Sequence, residues 1–301
     1  MKNESSHLAS VFQALLVTLL WSSSFIIIKI GLDEIPPLVF AGLRYIIAFI
    51  VLLPILFRKV NIEQIRRITK RDLFKLILLG LIFYTFTQGA QFFGLSFLPS
   101  VTVSLILNFT PIVTAIFGMF LIGEFLNRRQ WMGSILFILG VLIYFYPVVF
   151  SGGQLTGIFI MLFGVFSNAG AAVLGRYINR QKQFTPIVIT GISMGVGSIF
   201  LLIPGILLQG LPSISLTNFL LLLWMAVVNT AFAFTLWNKT LRNLTAVDSS
   251  IINGTMLIQI GLLAWIFLGE AITLQEAIGM LIAAAGVIIV QIKKTKPVKN
   301  L

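Results

Sequence analysis

Cysteine is absent from this sequence, which excludes disulfides, cysteine-ligated metals and thiol catalysis. Histidine occurs once, as His7, so no histidine cluster is available to hold a metal or relay a proton. Acids are almost as scarce. The nine are Glu4, Asp33, Glu34, Glu63, Asp72, Glu124, Asp248, Glu270 and Glu276, and each falls at the end of an apolar run, in a connection or in a tail. A nucleophile with a base, a carboxylate pair or a metal cluster is what an intramembrane enzyme needs. None is available mid-run, so the expectation is a chain that is not an enzyme and carries no cofactor. Charge as a whole makes up only 10% of residues, against roughly a quarter in soluble domains. That is too little to cover a wet surface, and lipid is the solvent expected for most of this one.

What is present is apolar. Hydrophobic residues make up 58% and mean hydropathy is +1.04. A spanning helix needs roughly 17–25 mostly apolar residues. Ten such runs are read at 8–30, 37–57, 73–97, 101–122, 131–150, 155–178, 186–208, 216–237, 246–268 and 274–292. The first is too long for a signal-peptide core, and no small-residue cleavage pattern follows it. Turns are marked by Pro36-Pro37, Leu98-Pro99-Ser100, Ser151-Gly152-Gly153 and Leu211-Pro212-Ser213.

The net charge of +12 is distributed as a topology signal and not as a nucleic-acid surface. Lys2 precedes the first run. Arg58, Lys59, Arg66, Arg67, Lys70, Arg71 and Lys75 separate the second from the third. Arg128 and Arg129, then Arg176, Arg180 and Lys182, then Lys239 and Arg242 mark alternate junctions, and four lysines end the chain. Nineteen of 21 basic residues therefore share one side, leaving Lys29 and Arg44 within runs. The positive-inside rule places both termini in the cytoplasm of a multi-pass plasma-membrane protein. Ile62, Ile65 and Ile68 line one face of the 58–72 stretch, which reads either as a short interfacial helix or as a solvated basic loop.

An internal repeat organises the spans. Gly123-Glu124, Gly133 and Gly140-Val141 recur at an offset of 146 as Gly269-Glu270, Gly279 and Gly286-Val287. Leu95, Leu98, Val101, Ser104 and Ile106 match Leu241, Leu244, Val247, Ser250 and Ile252 at the same offset. The unit is five spans, residues 8–150 and 155–292. Five is odd, so the halves insert in opposite orientations. Inverted repeats suit alternating access around a site near the bilayer midplane.

The Gly-Glu-x8-Gly-x6-Gly-Val ends, the run Trp21-Ser22-Ser23-Ser24-Phe25, Lys29, Arg44 and Pro111 together resemble the EamA family of the drug/metabolite transporter superfamily. The resemblance covers essentially the whole chain. It implies ten helices, cytoplasmic termini, and a central cavity lined mainly by spans 1, 3, 4, 6, 8 and 9. It also implies secondary carriage of a small molecule, with amino-acid or metabolite export as the first expectation. Drug export and sugar-conjugate or organic-phosphate exchange are alternatives within the same superfamily, and a non-transporting receptor lies outside it. A monomer is expected, with a dimer as the other possibility. Pro111 aligns with Leu257, so a proline kink is expected in span 4 only.

Candidate substrate contacts follow from cost. Ionisable groups in a bilayer are expensive and mark function or fixed partners. Lys29 and Arg176 sit near the ends of spans 1 and 6, where they either attract an anionic substrate group or snorkel to headgroups. Arg44 lies too deep in span 2 to snorkel, and either binds substrate or locks spans together. Tyr84, Gln88 and Gln91 share a helical face in span 3. Asn108 neighbours Pro111. Asn168, Asn229, Asn253 and Gln259 are mid-span, and Trp21, Trp237 and Trp265 are candidates to shape the cavity or its gates. As a set these line a polar cavity. Individually each is equally at home as interhelical glue. Glu124 and Glu270 are expected to end spans 4 and 9.

Overall fold

The computed structural model describes residues 2–122, 127–147, 152–181, 183–240, 244 and 252–291. Among the described residues the structure is helical, with no strand. Helix α1 is Lys2–Gly31, α2 Pro37–Leu56 and α3 the short Lys59–Arg66. Helix α4 is Lys70–Phe97, α5 Ser100–Leu107 and α6 Thr110–Ile122. Helix α7 is Arg128–Phe145, α8 Gln154–Arg180 and α9 Pro186–Gln209. Helix α10 covers 216–240, α11 is Met256–Leu268 and α12 Leu274–Gln291. Six of the helical stretches are long and apolar enough to cross a bilayer, and three shorter apolar ones accompany them. This is an all-helical membrane protein.

Local chemistry sets the helix ends. Proline at the first position starts α2 and α9, where its missing N–H is no loss. Thr69 accepts from the Asp72 N–H at the start of α4, and Ser215 from the Asn218 N–H at the start of α10. Asn127 and Gln130 form a reciprocal capping box on α7. Helix α11 ends on Gly269 at φ 66°, a left-handed residue that only glycine adopts without cost.

Helices α7 and α12 form the most extensive pair, followed by α2 and α9. The first pair crosses on the repeated glycines. A methyl added at Gly133 would lie 2.8 Å from the Gly286 carbonyl oxygen, and one at Gly140 would lie 2.6 Å from that of Gly279. The offset of 146 exchanges these two contacts. The small-residue pairs elsewhere also pack within the chain: Gly191 meets Leu56, Gly195 meets Phe49, and Gly94 meets Met161.

Three features depart from the sequence reading. Helix α4 is not uniform: Leu81–Thr87 is a π-helical stretch, and Met225–Phe232 in α10 is another. Shifting 81–87 by 146 gives 227–233, so the two stretches nearly coincide in the two halves. In each, a threonine hydroxyl donates to the carbonyl five residues earlier: Thr87 to Ile82 at 2.9 Å, and Thr230 to Met225 at 2.9 Å. The second departure concerns the expected kink. Span 4 does break at Asn108 and Phe109, ahead of Pro111. The chain also breaks at Thr255, the position equivalent to 109, with no proline. There the Thr255 hydroxyl donates to the Ile252 carbonyl at 2.6 Å and accepts from Gln259 at 3.0 Å, competing with the helix ladder. Third, α3 is a helix, but its buried face is polar. Asn61 is buried and accepts from the Thr185 hydroxyl at 3.1 Å, while Gln64 accepts from the Thr185 N–H at 2.8 Å.

Candidate functional site

A cavity of about 800 Å³ penetrates the bundle from the end that carries the basic connections. Its mouth is formed by Asn179, Thr185, Pro186 and Lys239, and its wall by Thr190, Ser193 and Met194 of α9 with Ala171 and Ala172 of α8. Further in, Phe83, Tyr84, Asn168, Thr230 and Phe234 close it. The inner residues come from both π-helical stretches and their edges. A π turn widens the helix and spreads its side chains, which is how such stretches come to serve sites. Among the described residues, no Asp or Glu lines the cavity.

Behind Thr230 lies a buried polar cluster joining α1, α2 and α10. Arg44, 5% exposed, donates from Nε to the Thr230 hydroxyl at 3.2 Å and from Nη2 to that of Ser24 at 3.4 Å. Its guanidinium also lies over the rings of Tyr45 and Phe92, at 5.4 and 6.0 Å. Asn229 is fully buried and donates to the Leu20 carbonyl at 2.7 Å and the Ser24 hydroxyl at 2.8 Å, while its Oδ1 has no partner. Among the described residues, no carboxylate lies within ion-pair distance of Arg44. The ion pair found there is Lys75–Asp72 at 3.4 Å.

The structure brings Tyr84 and Asn168 to the cavity wall and Arg44 and Asn229 to the cluster behind it. Trp21 and Trp237 are 5.3 Å apart, and Trp21 is 5.2 Å from the wall residue Phe234. Asn168 also donates to the Thr110 hydroxyl at 3.3 Å. The other candidates are elsewhere. Gln259 accepts from Ser22 at 3.0 Å and donates to Thr18 at 3.1 Å, tying α11 to α1. Gln88 accepts from the Tyr45 hydroxyl at 2.7 Å, and Asn108 donates to the Ser104 carbonyl at 2.8 Å. Gln91 and Asn253 are half-buried away from the cavity wall, and Arg176 is exposed outside it. Trp265 is 59% exposed on the outer surface. Lys29 is half-buried at the far end of α1, within electrostatic reach of Glu270 and Asp33. Of the predicted face Tyr84, Gln88 and Gln91, only Tyr84 lines the cavity; Gln88 shares its face, since both meet Tyr45, but lies farther along α4.

Several wall residues were not singled out in the sequence. Thr185, Thr190 and Ser193 sit near one another in span 7 without any charge to draw notice, and Lys239 served only as a topology marker. Thr230 adjoins Asn229, so the polar pair itself was the available signal.

The opposite end is closed by side chains reaching across helices. Glu270 accepts twice from the Ser100 N–H at the start of α5, at 2.9 and 3.0 Å. Glu34 accepts from the Ser215 N–H at 3.1 Å, and Gln209 from the Leu38 N–H at 3.0 Å. Gln275 donates to the carbonyls of Ile143, at 2.8 Å, and Tyr146. Glu270 thus caps the helix that follows span 3, besides ending its own. Glu124 lies outside the described residues.

The model of the EamA-like transporter family matches residues 8–146 and 155–292. Among similar proteins, an uncharacterized transporter of Bacillus subtilis, YoaV, is 26% identical over 90% of this chain and 92% of its own. A probable amino-acid metabolite efflux pump of Salmonella typhimurium is 29% identical over 92% and 93% of the two chains. An S-adenosylmethionine/S-adenosylhomocysteine transporter of Chlamydia trachomatis is 23% identical over 87% and 83%. One solved crystal structure shares the fold, with a TM-score of 0.66 at 15% identity over 94% of this chain and 97% of its own. The family match and the transporter relatives indicate a carrier of small molecules rather than an enzyme. The chain belongs to the EamA-like transporter family.

Proposed function

We infer that the protein is a secondary carrier working by alternating access, and that it exports an amino acid or a related metabolite. In this reading ten helices span the plasma membrane as two inverted five-helix repeats, residues 8–150 and 155–292, with both termini cytoplasmic. The carrying observation is the asymmetry of the bundle: a deep cavity at the basic end and interlocked helix starts at the other. A transporter caught facing the cytoplasm has this shape. Two further features support the inverted arrangement. The α7–α12 glycine contacts exchange under the repeat offset, and both halves carry a π stretch at the cavity. A π stretch has a weakened ladder and is a natural place to bend.

Amino-acid efflux is the role given to one relative, and a largely apolar cavity that also presents Asn168, Ser193 and Thr230 suits a small amphipathic solute. The sequence puts its nine acids at run ends, in connections or in tails, and none lines the cavity among the described residues, which favours uniport or exchange over proton antiport through a central carboxylate. The test is counterflow in proteoliposomes against amino acids, nucleosides and organic acids. Efflux of at least one preloaded class is expected. If no solute moves under any gradient, the carrier reading fails. Single cysteines at 152 and 271 should label from outside and one at 128 should not. The reverse pattern would overturn the orientation.

A further inference from the structure

We propose that the carried solute bears a carboxylate, and that the carboxylate seats at Thr230 on the blind end of the cavity, held by the charge of Arg44. The proposal rests on the transport reading above.

A guanidinium cannot shed its charge in a protein. Removing such a charge from water costs several kcal/mol unless a counter-ion and hydrogen bonds repay it. Arg44 has hydrogen bonds and two aromatic faces, but among the described residues its partners are neutral. Among the described residues no carboxylate comes within 4 Å of it. Locking three helices together would not require a full charge. A glutamine also spans hydroxyls, as Gln259 does between α1 and α11. A retained, uncompensated cation beside a cavity therefore points to an anion that arrives from that cavity.

The route is short. Thr230 both lines the cavity and accepts from Arg44 Nε. Its own hydrogen goes to the Met225 carbonyl. A carboxylate is a stronger acceptor than a hydroxyl for a guanidinium, and is geometrically matched to it. In the loaded state the carboxylate takes the place of the Thr230 hydroxyl as acceptor from Nε. The wall reinforces the sign: among the described residues it has Lys239 at the mouth and no acid. Such a field concentrates anionic ends and repels a solute whose only charge is positive. The ammonium of a zwitterion would remain nearer the aromatic faces of Phe83 and Phe234, where a cation is tolerated.

The experiment uses the full chain in proteoliposomes and compares each amino acid with its own carboxamide, leucine with leucinamide first, by counterflow and by thermal shift in detergent. Wild type should move the acids at least tenfold faster than the amides, and only the acids should raise Tm. Arg44→Lys keeps the charge and should keep the preference at a lower rate. Arg44→Gln should lose the preference. Should that variant fail to fold, Thr230→Val is read instead. It leaves the charge in place and removes the hydroxyl that competes with the carboxylate for Nε, so it should retain the preference with a KM no higher than wild type; a lost preference would overturn the proposal. Equal movement of acids and amides by wild type, or an intact preference in folded Arg44→Gln, overturns the proposal and leaves the carrier reading standing. If wild type moves neither form of any solute, the carrier reading falls and the proposal with it.

Discussion

At one end of the bundle, helix starts are tied to distant side chains: Ser100 to Glu270, Ser215 to Glu34 and Leu38 to Gln209. At the other, Asn61 and Gln64 hold Thr185, and beyond that single strap the helices part around a cavity. The tied end uses carboxylates on unpaired N–H groups, where the helix dipole makes an anion worth most. The open end carries cations and exposes polar residues to the cavity. What differs is where the polar partners lie: the ties join distant helices, whereas Asn179 and Ser193 at the cavity bond to carbonyls of their own helices. A carrier that changes its facing has to exchange these two arrangements, so the ties at the closed end must be individually weak.

The largest expected effect is all-or-none. Ala172 is exposed and lines the cavity, and the chain has no cysteine of its own. Ala172→Cys should react with a membrane-impermeant maleimide added on the basic side and not with reagent added on the other. Full reaction from the other side would mean that the cavity has been assigned to the wrong end.

Next in size is the backbone contact beside the cavity wall. A methyl on Gly197 would lie 2.4 Å from the Gly80 carbonyl oxygen and 2.6 Å from Tyr84 Cβ. A main-chain atom cannot yield as a side chain can, so Gly197→Ala should cost about 1–3 kcal/mol and lower Tm in detergent. Gly175→Ala meets nothing closer than Leu79 at 3.7 Å and should leave Tm unchanged. If the two behave alike, the close approach of α4 to α9 is not what holds the wall.

The third effect touches the tie directly. Glu270→Gln leaves a weaker, neutral cap on α5. The loss of about 0.5–1 kcal/mol from the closed end corresponds to about a two- to fivefold shift toward the opposite facing. Thr102 is buried behind this tie, so outside labelling of Thr102→Cys should rise by that factor in the Glu270→Gln background. No change would make Glu270 a helix terminator and nothing more.

These features were not equally legible in the sequence. The helical membrane class was visible because hydropathy and scarce charge are summed over hundreds of residues. The glycine crossing was foreshadowed because Gly133, Gly140, Gly279 and Gly286 repeat at a fixed spacing. The π stretches were hidden, since no residue type dictates them and Leu81–Thr87 reads as ordinary apolar helix. The break at Thr255 was missed because proline was the only helix-breaking signal considered, while a threonine hydroxyl bonding its own helix does the same. Depth in a span was a fair guide to burial at Arg44 and Asn229. It could not distinguish the wall from the cluster behind it, which depends on rotation about the helix axis.

The smallest expected effect concerns pH at the closed end. Glu34 is exposed in the α1–α2 connection, and hydrogen bonds from Asn218 and from Ser215 hold its carboxyl below the usual glutamate range. The sign follows from linkage. A carboxyl whose pKa is depressed in the tied form supports that form fully above its ordinary value, and the support is lost as pH falls through the lower, tied-state value. Acidifying the outer solution from about pH 6 to about pH 3, across the ordinary glutamate pKa, should therefore loosen the Ser215 contact. Outside labelling of Thr102→Cys, corrected for reagent reactivity, should rise slightly in that interval. Glu34→Gln should flatten this part of the profile, because an amide oxygen still accepts from the Ser215 N–H but does not titrate. A response undiminished by the substitution would leave Glu34 as an ordinary cap on α10.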